Sequence, residues 1–450
     1  MTSRAQPSSP PRLDRQLGLW DATSIVVGII LGAGIFVVPG LVARSLPSPT
    51  LILAAWFFSG VLSLLGALVF SELGAMMPET GGHYVFLREG LAPVAGFLCG
   101  WTYFLIIQPS VTAYLATSFS IYLGYFIPIS GWVAKAISLA LIFILCGANY
   151  VGTRWGASVQ NFFTVMKLAG LALLIWSALA APSPQPIMVA PPAWSMSAFG
   201  VAMIACLLSY DGWSYLSFVA GEVREPQRNL LRAAALGLAI CCVIYLLVNM
   251  AYLRVLPMEE FIRAERPGSM VAERVLGKWG GMVVTLTILC SVIGSTNGQI
   301  MAPARMYFAQ AADRLFFPAF ARVHSRFRTP SVALLGVGFW SSILVLTGVW
   351  EALIDYALFA TWVFATLVGV ALVALRFKKP QAARPYKMWG YPATAAVYIL
   401  IGTAFCVNTL IERTGPALVA LGIILAGIPV FYVTLRKWTN SSGGATNSLP

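Results

Sequence analysis

The sequence predicts an all-α polytopic membrane protein with 12 transmembrane helices, and three observations carry that prediction. Of its 450 residues 59% are hydrophobic and only 10% charged, with a mean hydropathy of +0.81. A single soluble core stops growing at roughly 250–300 residues and soluble domains carry about 25% charged residues, so hydrocarbon must be part of this chain's solvent. Apolar stretches of the length a bilayer core requires, about 20 residues, recur along the chain. They lie near 17–44, 50–76, 92–125, 131–150, 157–181, 197–220, 231–255, 276–303, 330–349, 352–376, 390–411 and 415–435. The third is too long for one straight crossing and must tilt or run out of the hydrocarbon. Finally, most cations sit in the short gaps between these stretches.

The charges also orient the chain. Twelve crossings put both termini on one side. With the N-terminus inside, twenty of the 29 Lys and Arg residues fall in inner segments and eight in outer ones, leaving Lys167 within the fifth span. The excess predicts cytoplasmic termini, in a cell inner membrane. The net charge of +13 invites a nucleic-acid reading, but no basic run is interleaved with aromatics, so no nucleic-acid partner is expected. The Pro- and Arg-rich tail leads straight into an apolar stretch too long for a secretory signal, which is read as a retained first helix. Of the outer loops, 181–194 is uncharged and Pro-rich, whereas 254–278 carries both signs and is expected to fold as a small cap.

All seven cysteines lie in apolar stretches without CxxC or Cys/His spacing, and read as small hydrophobes in packed helices. His83 and His324 fall in polar loops far apart in sequence. No metal and no cofactor is expected.

Two spans carry interruptions. The first holds Gly28, Gly32, Ala33 and Gly34, then Pro39 and Gly40; each glycine lowers helix stability by about 1 kcal/mol, so unwinding costs least there. The sixth holds Ser209-Tyr210-Asp211-Gly212-Trp213 at a similar depth. Unwound backbone in mid-membrane is tolerated only where it faces protein or a wet cavity. Breaks in spans one and six are expected if spans 1–5 and 6–10 are repeats of opposite topology, and such a pair is a pointer to a transporter's substrate site. The plain alternative is close helix packing, for which Gly28 and Gly32 have the spacing. Freed N–H groups at the start of the second half of span one suit a carboxylate, and freed carbonyls at the ends of the first halves can accept from an ammonium. A zwitterion fits both. Gly34 is expected to adopt positive φ beside the carboxylate.

At these residues a family becomes recognisable. Gly32-Ala33-Gly34-Ile35-Phe36 resembles the Gly-Ser/Ala-Gly-Ile-Phe signature of the amino acid–polyamine–organocation superfamily. Glu72-Leu73-Gly74-Ala75-Met76-Met77-Pro78, with Thr80-Gly81-Gly82-His83-Tyr84, resembles its second-helix signature. Ser209-Tyr210-Asp211-Gly212-Trp213, then Glu222, Pro226 and Arg228-Asn229, is similar to the L-type amino acid transporter branch. Gln160-Asn161 with Lys167, Asn297-Gly298 with Arg305, and Arg384-Pro385-Tyr386 extend the match over Leu17 to Lys387.

The resemblance implies a LeuT-like fold of two inverted five-helix repeats. These would be 17–181 and 182–388, followed by two further helices (389–436), with cytoplasmic tails at 1–16 and 437–450. It implies sodium-independent amino acid transport, often by exchange, and the helix-end chemistry favours a small neutral substrate. The substrate carboxylate would meet the N–H groups of Ala33 and Gly34, and its ammonium the carbonyls of Ile30, Leu208 and Asp211. Gly32, Ser209 and Gln108 complete the expected substrate site. Two departures stand out: Ala33 lacks the hydroxyl of Gly-Ser-Gly, and Leu208 replaces the usual aromatic gate.

A lysine near mid-bilayer costs about 2.5–3.5 kcal/mol and is functional by default. By resemblance Lys167 occupies the sodium site of sodium-coupled relatives, with carbonyls near Gly28 and the hydroxyls of Ser291 or Ser295 as partners. Asp211 is read as capping the second half of span six rather than attracting an ammonium, and Glu72 as pairing with loop arginines. Gln108, Ser110 and Tyr114 either line the pocket or bond between helices; Trp362 and Phe359 are read as packing. An integral-membrane enzyme would need more catalytic groups at depth than one lysine and one aspartate. A cationic amino acid or polyamine substrate would need a second acidic group beyond Asp211. Apart from the amino acid and membrane lipid, no obligatory partner is evident.

Overall fold

The computed structural model describes residues 13–181 and 195–441. Most of the Pro-rich loop expected at 181–194 and most of both tails lie outside the described residues. Every regular element among those described is helical, apart from one isolated bridge between Leu17 and Val223. The first expected span is replaced by α1 (Leu19–Ile30), a 3-10 turn (Ala33–Phe36) and α2 (Val38–Ser45). Then come α3 (Pro49–Met76), the loop helix α4 (His83–Gly90), and α5 (Pro93–Thr102) continued through a π-turn (Tyr103–Ile107) into α6 (Gln108–Leu123). Next are α7 (Gly131–Val151) and α8 (Thr153–Ala180).

The sixth span is α9 (Met196–Ser209) followed by a 3-10 stretch (Trp213–Glu222). It leads to α10 (Pro226–Val255), the short α11 (Met258–Arg263) and α12 (Pro267–Leu276), then α13 (Gly280–Met301) and α14 (Pro303–Ala312). The chain closes with α15 (Ser331–Thr347), α16 (Trp350–Lys378), α17 (Ala393–Glu412) and α18 (Thr414–Ser441). Among the described residues nine helices are long and apolar enough to cross a membrane, with Leu19–Ile30 and Ser331–Thr347 as shorter apolar ones. Two of the expected spans that fall short are the interrupted ones.

The loop that carries both signs of charge folds as the expected cap, built from α11 and α12. Arg274 pairs with Glu260 at 2.7 Å. Arg44, at the end of α2, donates from Nε to the Ile262 carbonyl at 3.0 Å. His324 lies in a loop as expected, whereas His83 departs from expectation. His83 does not lie in an open polar loop: it starts α4, is fully buried and stacks on Phe218 with ring centroids 4.7 Å apart. The apolar neighbours Phe70 and Tyr103 close around it, which the polar residues flanking it in sequence do not reveal.

Glu72 behaves as its sequence context suggests. Fully buried on α3, its carboxylate accepts from Arg376 Nε at 3.0 Å and Nη2 at 2.6 Å, lies 3.4 Å from Arg384 Nε, and takes the Met388 N–H at 2.6 Å. One carboxylate thus fixes α3 to the end of α16 and the loop behind it. Removing one partner of a buried pair costs about 3–5 kcal/mol, less where water reaches the other partner, as it does at Arg376. Glu72→Gln should therefore lower the melting temperature of the purified protein by several degrees, read by thermal-shift fluorimetry, without changing which substrate is carried.

Candidate functional site

The break after α1 leaves helix-end carbonyls without intrahelical partners, and one lysine collects them. Lys167, fully buried on α8, donates from Nζ to the carbonyls of Gly28 at 2.8 Å, Leu31 at 3.0 Å and Ser291 at 3.2 Å. The expectation for the two serines is corrected: their hydroxyls do not accept from the ammonium. Ser291 Oγ donates to the Leu31 carbonyl at 2.5 Å and Ser295 Oγ to that of Gly28 at 3.0 Å, so lysine and serines share the same acceptors. A carbonyl has two lone pairs and a hydroxyl near a saturated ammonium has a proton to give, which is why the roles divide this way. The cage joins α1, α8 and α13.

The second break lies opposite. α9 ends at Ser209, and Gly212 turns the chain with φ +133°. Tyr245, buried on α10, sets its hydroxyl between the two helix ends, 2.9 Å from the Ile30 carbonyl and 2.7 Å from that of Ser209. The hydroxyl has one proton for two acceptors; the Ile30 carbonyl also takes the Gly32 N–H at 2.8 Å, so Tyr245 can give its proton to Ser209 while Ile30 keeps a donor. Ser209 also faces Gly34, where an added Cβ would come within 3.6 Å of its Oγ. A Cβ on Gly32 would meet nothing within 4 Å. There is therefore an opening beside Gly32, with Gly34 and Ser209 in contact range of each other, and the 3-10 turn starting at Ala33 leaves its leading N–H groups without intrahelical partners.

Several expectations change here. Gly34 is not among the positive-φ glycines; Gly212 is, and its missing Cβ would sit 2.7 Å from Ile29 Cγ2. The glycine a turn demands is in the second break, not the first. The packing alternative holds at Gly28, where a Cβ would lie 1.8 Å from Gln160 Nε2, and not at Gly32. Asp211 is not itself the cap residue of the 3-10 stretch, which is Gly212, but its carboxylate takes the Gly212 N–H at the start of that stretch. Asp211 also borders a cavity of about 20 Å³ with Ser63, Trp213, Trp362 and Tyr398. Leu208, half-buried, contributes its carbonyl to the Asp211 N–H at 3.4 Å. Gln108 takes the second of its two expected roles, bonding between helices. Its amide donates to Thr112 Oγ1 at 2.9 Å and to the Gln299 carbonyl, bonding α6 to α13. Phe359 packs with Ala417 and Ala420, and Trp362 stacks on Phe405.

At the end of the bundle where α1 begins, a buried ion pair closes the structure. Arg305 and Glu222 are 0% and 1% exposed, with Nε 2.6 Å from Oε1. Thr153 Oγ1 donates to Glu222 Oε2 at 2.6 Å, and Arg305 Nη1 to the Met301 carbonyl at 2.6 Å. Main chain adds to this: the N–H groups of Gln16 and Leu17 both reach the Glu222 carbonyl at 2.9 Å, and that of Arg224 the Leu17 carbonyl at 2.8 Å.

The amino acid permease family model matches residues 17–434. The chain belongs to that family. The permease is 31% identical to the serine/threonine exchanger SteT of Bacillus subtilis over 93% of its own length and 97% of that protein's. It is 29% identical to the human b(0,+)-type amino acid transporter 1, over 96% and 90% of the two chains. With mouse large neutral amino acids transporter small subunit 2 it shares 28% identity over 94% and 81%. The permease is thus a multi-pass membrane transporter of amino acids and not an enzyme, as the signatures at Gly32–Phe36 and Ser209–Trp213 imply.

Tyr245 is the residue that sequence reading passes over. It sits mid-helix among apolar neighbours, as an aromatic of an ordinary membrane span does, and no local motif marks it. The glycines give a sharper contrast. Gly212→Ala should overpack the break at a cost of about 1–3 kcal/mol, beyond the backbone strain, and lower the melting temperature. Gly32→Ala should melt as the wild type does.

Proposed function

We propose that the permease exchanges small neutral amino acids by alternating access, without sodium. In this reading it has twelve spans, with residues 17–181 and 182–388 as inverted five-helix repeats and both termini in the cytoplasm. The three-carbonyl grip of Lys167 carries the proposal. It supplies a fixed positive charge where a helix end would otherwise need an ion, and being covalent it spends no ion gradient. The nine long apolar helices, two interrupted spans and short Ser331–Thr347 sum to the expected number of crossings.

The substrate carboxylate would take the N–H groups of Ala33 and Gly34. Its ammonium would take the carbonyls of Ile30, Leu208 and Asp211. Gly34 is bordered by the Ser209 hydroxyl and a Val38 methyl, with open space beside Gly32, which supports a zwitterion with a short side chain.

A cationic substrate is the second reading, and one observation favours it. Asp211 has no basic partner among the described residues and borders a cavity large enough for a water molecule. Binding of alanine, serine and leucine against arginine, agmatine and putrescine separates the readings. Neutral amino acids should bind tightest; a decarboxylated amine binding better than all of them would overturn the assignment. Gly34→Val should abolish binding with the fold intact, because its γ-methyls would fill the opening before Ser209.

Initial uptake in sodium, potassium and choline buffers tests the coupling. Wild-type rates should be equal in all three, and Lys167→Ala should fall at least about ten-fold in any of them, given the several kcal/mol at stake when helix-end carbonyls lose their donor. Strict sodium dependence, or an unimpaired variant, would refute the role given to Lys167.

A further inference from the structure

We propose that the cleft between the start of α1 and the start of α8 holds the headgroup of an anionic phospholipid. The cleft has a volume of about 520 Å³ and is lined by Gln16, Leu17, Gly18, Asp21, Arg154, Trp155, Ala157, Ser158 and Arg224. Its height in the membrane can be read from α8. Trp155 and Trp176 are 64% and 74% exposed at the two ends of that helix. Twenty-one residues at 1.5 Å each separate them by about 32 Å, close to the roughly 30 Å of a hydrocarbon core. Exposed tryptophans so spaced mark the two interfaces. Arg154 and Trp155 therefore stand at headgroup level, and the cleft opens there.

The cleft is net positive: two arginines face one carboxylate, that of Asp21. Arg154 and Arg224 are both exposed, and among the described residues neither has a carboxylate partner. Asp21 is turned to neutral donors, the Gly18 N–H at 2.8 Å and Asn161 Nδ2 at 2.7 Å, which hold its carboxylate in place without cancelling its charge. Asp14 pairs with Arg328, and Glu225 with Arg228. Segments 1–12, 182–194 and 442–450 contain no Asp or Glu at all, so none of them can neutralise these arginines. Two guanidinium groups beside an interfacial tryptophan match a phosphate whose acyl chains run down the outside of α8. A zwitterionic headgroup would bring its own ammonium against the arginines, which favours an anionic lipid. The site also touches the main-chain tie, since Leu17 and Arg224 are bonded to each other. A lipid bridging Arg154 on α8 to Arg224 behind the 3-10 stretch would hold this face of the bundle closed.

Thermal stability of the full-length purified protein, titrated with phosphatidylglycerol, phosphatidylcholine or inorganic phosphate, tests the proposal, together with native mass spectrometry of retained lipid. Phosphatidylglycerol should raise the melting temperature of the wild type, and phosphatidylcholine should not. The apparent affinity for phosphatidylglycerol should fall on the order of five-fold for each of Arg154→Gln and Arg224→Gln, while Arg322→Gln/Arg326→Gln, outside the cleft, should keep it. Retained phosphatidylglycerol should drop in parallel. Should one Gln variant not fold, the other supplies the comparison, and Arg154→Lys and Arg224→Lys, which keep the charge, should retain most of the affinity. Unchanged affinity in the cleft variants, equal stabilisation by phosphatidylcholine, or full replacement by inorganic phosphate would overturn the lipid assignment. None of these outcomes depends on which amino acid is carried.

Discussion

A peptide carbonyl released from a helix inside hydrocarbon must find a donor, and the whole arrangement of this bundle follows from meeting that demand twice. At the first break the donors are Lys167, Ser291 and Ser295, which converge on Gly28 and Leu31 from two other helices. At the second, a single tyrosine hydroxyl is divided between Ile30 and Ser209. The difference is informative. The first set is saturated by three side chains from two helices, so it holds α1, α8 and α13 in place; the second has only one hydroxyl and the Gly32 N–H for its two carbonyls, a thinner set of donors. A broken helix is costly unless its ends are satisfied, and here the thinner set lies beside the open space at Gly32.

The sequence made the two breaks legible because glycine-rich interruptions stand out against apolar runs, and it made Lys167 legible because a charge at that depth has no cheap explanation. Glu72 was readable for the same reason. What escaped was whatever depends on direction. Gln108 reads as a pocket residue by its place in the third span, yet its amide turns to Gln299 because a helix face is fixed only by packing. Asp211 has the local context of a cap, but its place beside a small cavity with Ser63, Trp362 and Tyr398 depends on residues far away in sequence. His83, flanked by glycines and a tyrosine, gives no sign that it is buried. Tyr245 is silent in one dimension since its acceptors lie more than 30 residues away in both cases.

The Arg305–Glu222 pair shows a different economy. Sequestered from water, it would lose more from the removal of one partner than it gains as a pair, so such contacts specify a geometry more than they stabilise one. Its acceptors are filled by Thr153 and its donors by Met301, which leaves little room for any alternative arrangement of α8, α14 and the 3-10 stretch.

The main-chain tie of residues 16–17 to 222–224 has a mechanical consequence. Three peptide hydrogen bonds couple the foot of α1 to the foot of the 3-10 stretch without using any side chain. The two half-helices are therefore linked as the arms of one rocker: a tilt of either is transmitted to the other, and swinging one alone would shear all three bonds together. Since the linkage is indifferent to residue type, drift in the sequence there leaves it intact, while a single inserted residue would throw the two arms out of step.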